Sequence, residues 1–305
     1  MAEGASLAAL VAEAERRGVS LGRLVIEEEA AESGQDVGRV RARMSGMLDV
    51  MAQSAAEGLT GEARSASGMV GGDARRVEEA RRSGACLDDL LAAAAARAMA
   101  VSEVNAAMGR IVAAPTAGAA GVMPGVLLAL MEVRQVARER VVEAMFAAAG
   151  VGEVIAERAS LSGAEGGCQA ETGSAAAMAA AAAVEALDGT PAMAAQAVAF
   201  TLQNLLGLVC DPIGGLVEVP CLGRNAGGAA SALLGAQLAL AGVAHPVPVD
   251  EIIDTMGHIG HALPVSLRET GWGGIAVTPT GRAIAARLGL ASAPEEPGGD
   301  PPRGA

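Results

Sequence analysis

The chain has 305 residues, 22 of them basic and 35 acidic, for a formal net charge of −13. That length suits one or two domains with a sizeable core, yet 71 residues are Ala and 41 are Gly, against two Phe, one Trp and no Tyr. Every basic residue is Arg, which excludes a pyridoxal phosphate Schiff base and a P-loop lysine within this chain. The negative charge and the three aromatic side chains also make nucleic acid an ill-matched partner.

Residues 5–60 read as amphipathic helices, with Leu7, Leu10, Val11 and Ala14 on one face and Met44, Met47, Leu48 and Met51 repeating the pattern. A glycine-punctuated loop, SASGMVGGD, occupies 65–73. Helices are expected near 74–82 and 87–108, a Pro/Gly loop over 110–125, and one further helix over 126–146. The loop 162–168 leads into a helix at 175–187, and Pro191 opens another that runs to about Val209. After a break at 210–221, helices are expected at 226–240 and 249–256. No alternating strand pattern is visible, so the fold class is all-α: one Ala/Gly-rich helical domain over 1–290 and a Pro/Gly-rich tail, 291–305, expected to be disordered.

Glu3 and the lack of a basic segment before the first apolar stretch do not fit a secretory signal, so a cytoplasmic location is expected. Three uncharged runs, 111–131, 189–210 and 225–249, are long enough to raise the alternative of a helical membrane component. Their Pro, Gly, Gln, Asn and His content, and the missing aromatic belt, favour buried helices instead.

In a reducing compartment, four cysteines are thiols or metal ligands sooner than disulfides. Cys168, Cys210 and Cys221 each fall in a break between helices beside Gly or Pro, whereas Cys86 has no such setting. Glycine neighbours and helix ends supply free N–H groups and access, as a cluster of iron and sulfide needs. The spacings match neither a ferredoxin run nor a zinc finger. From the residues alone, three readings stay open: small buried hydrophobes, a zinc site, or an iron–sulfur site with one open position.

Four runs narrow this: EVNAAMGRIVAAPTAG at 103–118, GGCQAETGSA at 166–175, GLVCDPIGGLVEVPCLGRNA at 207–226 and RETGWGG at 268–274, together with SGMVGGD at 67–73. In this order they resemble the alpha chain of bacterial iron–sulfur L-serine dehydratase over roughly residues 7–290. The resemblance implies an oxygen-sensitive [4Fe–4S] cluster held by Cys168, Cys210 and Cys221, an all-α fold, and conversion of L-serine to pyruvate and ammonia without pyridoxal phosphate. It also implies a beta part carrying a Ser/His motif that this sequence lacks, hence a separate beta chain and a hetero-oligomer. Some fused members end in a cysteine that reaches the fourth iron; this chain ends PPRGA.

Around such a cluster, four residues are catalytic candidates. Thr116 could offer its hydroxyl and a loop N–H to a carboxylate, or simply cap its loop. Arg224 could clamp a carboxylate, with Asn225 beside it; a surface or capping role is the alternative. Glu171 could be a base, or a helix-start carboxylate favoured by the dipole, the reading preferred here. His258 and His261, at i, i+3 on an expected helix, fit no motif and read as helix-surface groups. The competing functions are a zinc hydrolase and a structural or redox iron–sulfur protein.

Overall fold

The structure is a computed structural model that describes residues 5–290; the tail 291–305 lies outside the described residues. Thirteen α-helices and no β-strand are found among the described residues. They are α1 (Leu7–Arg17), α2 (Leu21–Ser33), α3 (Val37–Leu59), α4 (Asp73–Arg82), α5 (Asp89–Ala106), α6 (Val122–Val133), α7 (Arg138–Arg158) and the single turn α8 (Gly163–Gly166). After them come α9 (Ser174–Ala186), α10 (Pro191–Leu205), α11 (Cys221–Leu240), α12 (Val249–Ala262) and α13 (Pro279–Arg287). Ser6, Ser20, Asp36, Asp88, Thr190 and Thr278 accept N–H bonds at the starts of α1, α2, α3, α5, α10 and α13, which fixes where those helices begin.

All-α is therefore the architecture, and its centre is α9. Every residue of α9 is buried, and α6, α7, α10 and α11 pack around it. Ala at nearly every position lets the surrounding backbones close in, which replaces the bulky side chains the composition withholds. Glycine carries this further where helices touch backbone to backbone. A Cβ on Gly58 of α3 would lie 2.2 Å from the Ala100 carbonyl oxygen of α5, and one on Gly121 would lie 2.1 Å from that of Ala98.

Several boundaries differ from the sequence expectation. The single helix expected over 126–146 is two, α6 and α7, with Gln135 between them at φ 54°. Both pack on α9, and one straight helix could not do so from two directions. The loop at 110–125 ends early because α6 begins at Val122 and takes Pro124 into its first turn, where a missing N–H costs nothing. α10 stops at Leu205, not Val209; α11 starts at Cys221, not Ala226; α12 runs on to Ala262. The 162–168 loop contains α8, and a π-helical turn over Gln169–Gly173 feeds directly into α9. No helix among the described residues is long and apolar enough to cross a membrane, which removes the helical membrane alternative for those residues.

Candidate metal centre

Four connections meet at one end of the helical core: the α5–α6 loop with Thr116, the α8–π-turn segment with Cys168 and Glu171, the α10–α11 loop with Cys210, and the segment after α12. Gln169 ties the second to the third. Its N–H donates to the Leu208 carbonyl and its Oε1 accepts from Gly207 N–H, both at 2.9 Å, while its Nε2 reaches the Met256 carbonyl. Cys210 is clamped from the far side, donating its N–H to the Leu267 carbonyl at 2.8 Å and accepting from Glu269 N–H at 2.9 Å.

Asn225, one turn into α11, is fully occupied. Its Nδ2 donates to the carbonyls of Gly118 (2.8 Å) and Cys221 (2.9 Å), and its Oδ1 accepts from Gly121 N–H (2.8 Å). It therefore pins the Thr116 loop to the start of the Cys221 helix. Arg224 is mostly buried, and its guanidinium donates to the Val209 carbonyl and to Asp211 Oδ1, each at 2.7 Å. Asp211 in turn accepts Ile275 N–H at 2.7 Å through Oδ2. A surface role for Arg224 is thus contradicted by its burial: it braces the Cys210 loop.

Cys168, Cys210 and Cys221 are all buried free thiols, whereas Cys86 is half-buried. Sγ of Cys168, Sγ of Cys210 and a carboxylate oxygen of Glu171 all lie within 4.8 Å of one another, a grouping that could hold a metal ion. Interaction with the Cys210 thiol, together with the Arg224 charge, brings Cys168 down to about 6, against the pull of burial. The same contact with Cys168, and then burial, pushes Cys210 up. Burial pushes Cys221 up to about 12, with the charges of Cys168 and Glu171 adding to it.

Glu171 lies in the first turn of the π-helical segment that runs into α9, the position of a helix-start carboxylate. Its carboxylate faces Gly118 and Gly163, where Cβ atoms would lie 3.3 and 2.7 Å from its oxygens. Burial raises it to about 7, helped by the neighbouring Cys168 and Glu269, while the Thr116 side chain draws it down. Thr116 Oγ1 is buried beside it yet makes no well-formed hydrogen bond. His258 and His261 lie exposed on α12, as expected for helix-surface groups.

Asp211 and Glu269 were not singled out in the sequence. A signal existed for the first: it is the lone charged residue between Asp188 and Glu218. Glu269 lies in the RETGWGG run and reaches the site only because its segment folds back onto Cys210.

Fold and site together define a helical protein with a buried, thiol-rich candidate metal centre beside a carboxyl poised near neutrality. Residues 16–276 match the profile of the family described as serine dehydratase alpha chain. The "Probable L-serine dehydratase, alpha chain" of Bacillus subtilis is 51% identical over 247 residues, 81% of this chain and 82% of the relative. The "L-serine dehydratase, alpha chain" of Peptoniphilus asaccharolyticus is 47% identical over 269 residues, 88% and 92% of the two chains. The "L-serine dehydratase" of Streptomyces coelicolor is 46% identical over 182 residues, 59% of this chain and 40% of that protein. The chain belongs to the serine dehydratase alpha-chain family.

Proposed function

We propose that this chain is the alpha subunit of a cytoplasmic iron–sulfur L-serine dehydratase, with residues 1–290 as its helical domain and a separate beta chain as its partner. The observation that carries the reading is the meeting of Cys168, Cys210 and Glu171 at one buried spot, with the buried Cys221 thiol near enough to feel the charges of Cys168 and Glu171, in a chain of this family. The donor set, three buried thiols with a carboxyl beside them, fits an iron–sulfur cluster by the softness of its sulfur donors.

Cys168, Cys210 and Cys221 would hold the cluster, and three ligands leave one iron open. When bound, that iron supplies a Lewis acid for the β-hydroxyl of serine, which makes hydroxide a workable leaving group. The chain's own groups supply the remainder. Glu171, a buried carboxyl held near neutral pKa by desolvation, is matched to taking a proton from a carbon acid at physiological pH. Thr116, whose buried hydroxyl sits beside Glu171 without a well-formed hydrogen bond, can turn its O–H toward the substrate carboxylate. Arg224 and Asn225 act as positioning residues, the first through Asp211 and Cys168, the second through the Gly118 carbonyl. Loss of the Cα proton and of the hydroxyl leaves aminoacrylate, which tautomerises to an imine and hydrolyses to pyruvate and ammonia.

Anaerobic co-expression with a beta chain of the same family, followed by a pyruvate assay on L-serine, tests the assignment. Pyruvate and ammonia in equal amounts support it; a cluster-loaded complex that leaves serine untouched contradicts it.

A further inference from the structure

A cleft of about 310 Å³ opens between the end of α7, α8 and α12, and none of the residues proposed for catalysis lines it. Its chemistry is set by three side chains. Arg268 is held in place by its backbone pairing with Cys210, but its guanidinium makes no ion pair among the described residues. Its Nε is buried without a partner, and its best contact is a 3.4 Å approach of Nη1 to the Glu165 carbonyl. A half-buried guanidinium with no carboxylate partner and an unpartnered Nε at a cleft wall can receive an anion, and its planar fork favours a carboxylate.

Glu165 also lines the cleft, with its carboxylate Oε2 taken by the Ser160 hydroxyl at 2.6 Å. Oε1 has no hydrogen-bond partner among the described residues and is open to an ammonium group. His261 Nδ1 lies 2.8 Å from the Gly257 carbonyl, which makes Nδ1 the protonated nitrogen of the neutral ring. The remaining wall is mostly small and apolar, including Ala170 and Gly257, with Met256 as its one large apolar side chain.

From this we infer that the cleft is a second binding site, for a small zwitterionic α-amino acid, with its carboxylate on Arg268 and its ammonium on Glu165. A simple anion would meet Glu165 and a simple cation would meet Arg268, so only a ligand with both charges is matched at both ends. Gly166 and Ala170 on the wall flank Cys168 in the chain. An occupant therefore bears directly on the turn that carries Cys168 and Glu171. Naming L-serine as the natural ligand rests on the function proposed above; the site itself does not.

The chain has three histidines, so proton NMR of the full chain gives three ring C2–H signals, assignable with His258→Gln and His261→Gln. Glycine, which has no hydroxyl to lose, is the probe. The expected result is a saturable shift of the His261 signal with none at His245. Arg268→Gln and the cleft-filling Ala164→Leu should each weaken glycine binding at least tenfold, and Glu165→Gln should weaken glycine while sparing acetate. The inference is overturned if His261 does not respond, if acetate and methylamine shift it as glycine does, or if both Arg268→Gln and Ala164→Leu bind as the parent does. A chain that binds glycine here but forms no pyruvate with a beta chain would refute the catalytic reading alone.

Discussion

Replacing Glu171 by Gln keeps the size and burial of the side chain but removes its ability to take a proton. We expect kcat to fall by about 10²–10⁴-fold, the usual worth of a positioned general base, while the visible absorption of the cluster stays unchanged. Bleaching together with inactivity would instead make Glu171 a ligand, which its place within 4.8 Å of Cys168 and Cys210 makes a real alternative to exclude. At this scale the sequence disclosed residue types better than roles. The three cysteines stood out because each sits in a Gly/Pro break, and the structure brings all three into the buried end of the core. Glu171 was legible as an isolated charge between Glu165 and Glu185. Its orientation was not, because that depends on a π turn whose geometry places the carboxylate against Gly118 and Gly163. Arg224 and Asn225 were legible only as neighbours of Cys221; their partners, Asp211 and the Gly118 carbonyl, are remote in sequence.

Helix α9 shows what an alanine core demands of its few charged groups. Glu185 near its C-terminal end is buried, accepts Gly22 N–H at 3.3 Å through Oε1, and leaves Oε2 without a partner. Burial raises its pKa above the usual 4.5. A carboxyl whose folded pKa exceeds its unfolded one adds stability below the unfolded value and loses it as pH rises through the folded value. Glu185→Gln retains the acceptor and removes the charge, so it should stabilise the protein at pH 7.5 and have little effect near pH 4. The gain should be about 1.4 kcal/mol for each unit between the two pKa values. Urea unfolding at both pH values measures it, and equal or lower stability of the variant at pH 7.5 would contradict the burial argument. Helices themselves were readable from apolar spacing and caps, since those signals are local. The α6–α7 break was not, because 134–137 holds neither Gly nor Pro and the periodicity runs through it; tertiary packing on α9 sets it. The same holds for α11, whose start at Cys221 follows Pro220, although three glycines in its first two turns weaken the helical signal.

On the scale of the whole molecule, helices build a compact frame and loops from distant parts of the chain meet at one end of it. The all-α class followed from composition and periodicity, but the meeting of loops could not, since it depends on long-range contacts such as Cys210 with Leu267 and Asn225 with Gly118. Exposed apolar side chains at Met108, Val265, Trp272 and Ile275 belong to segments adjoining those loops. We expect the isolated chain to be coloured yet to form pyruvate at a small fraction of the rate reached once a beta chain is added in stoichiometric amount. Full activity of the isolated chain would place every essential group on this subunit.

The central claim is that Cys168, Cys210 and Cys221 hold an iron–sulfur cluster. Its most direct test is the iron and acid-labile sulfide content of the anaerobically purified chain, parent and single Cys→Ser variants side by side. The account predicts about four irons and four sulfides per chain in the parent and in Cys86→Ser, and loss of both in Cys168→Ser, Cys210→Ser and Cys221→Ser. One zinc per chain without sulfide, or a cluster that survives all three substitutions, would contradict it.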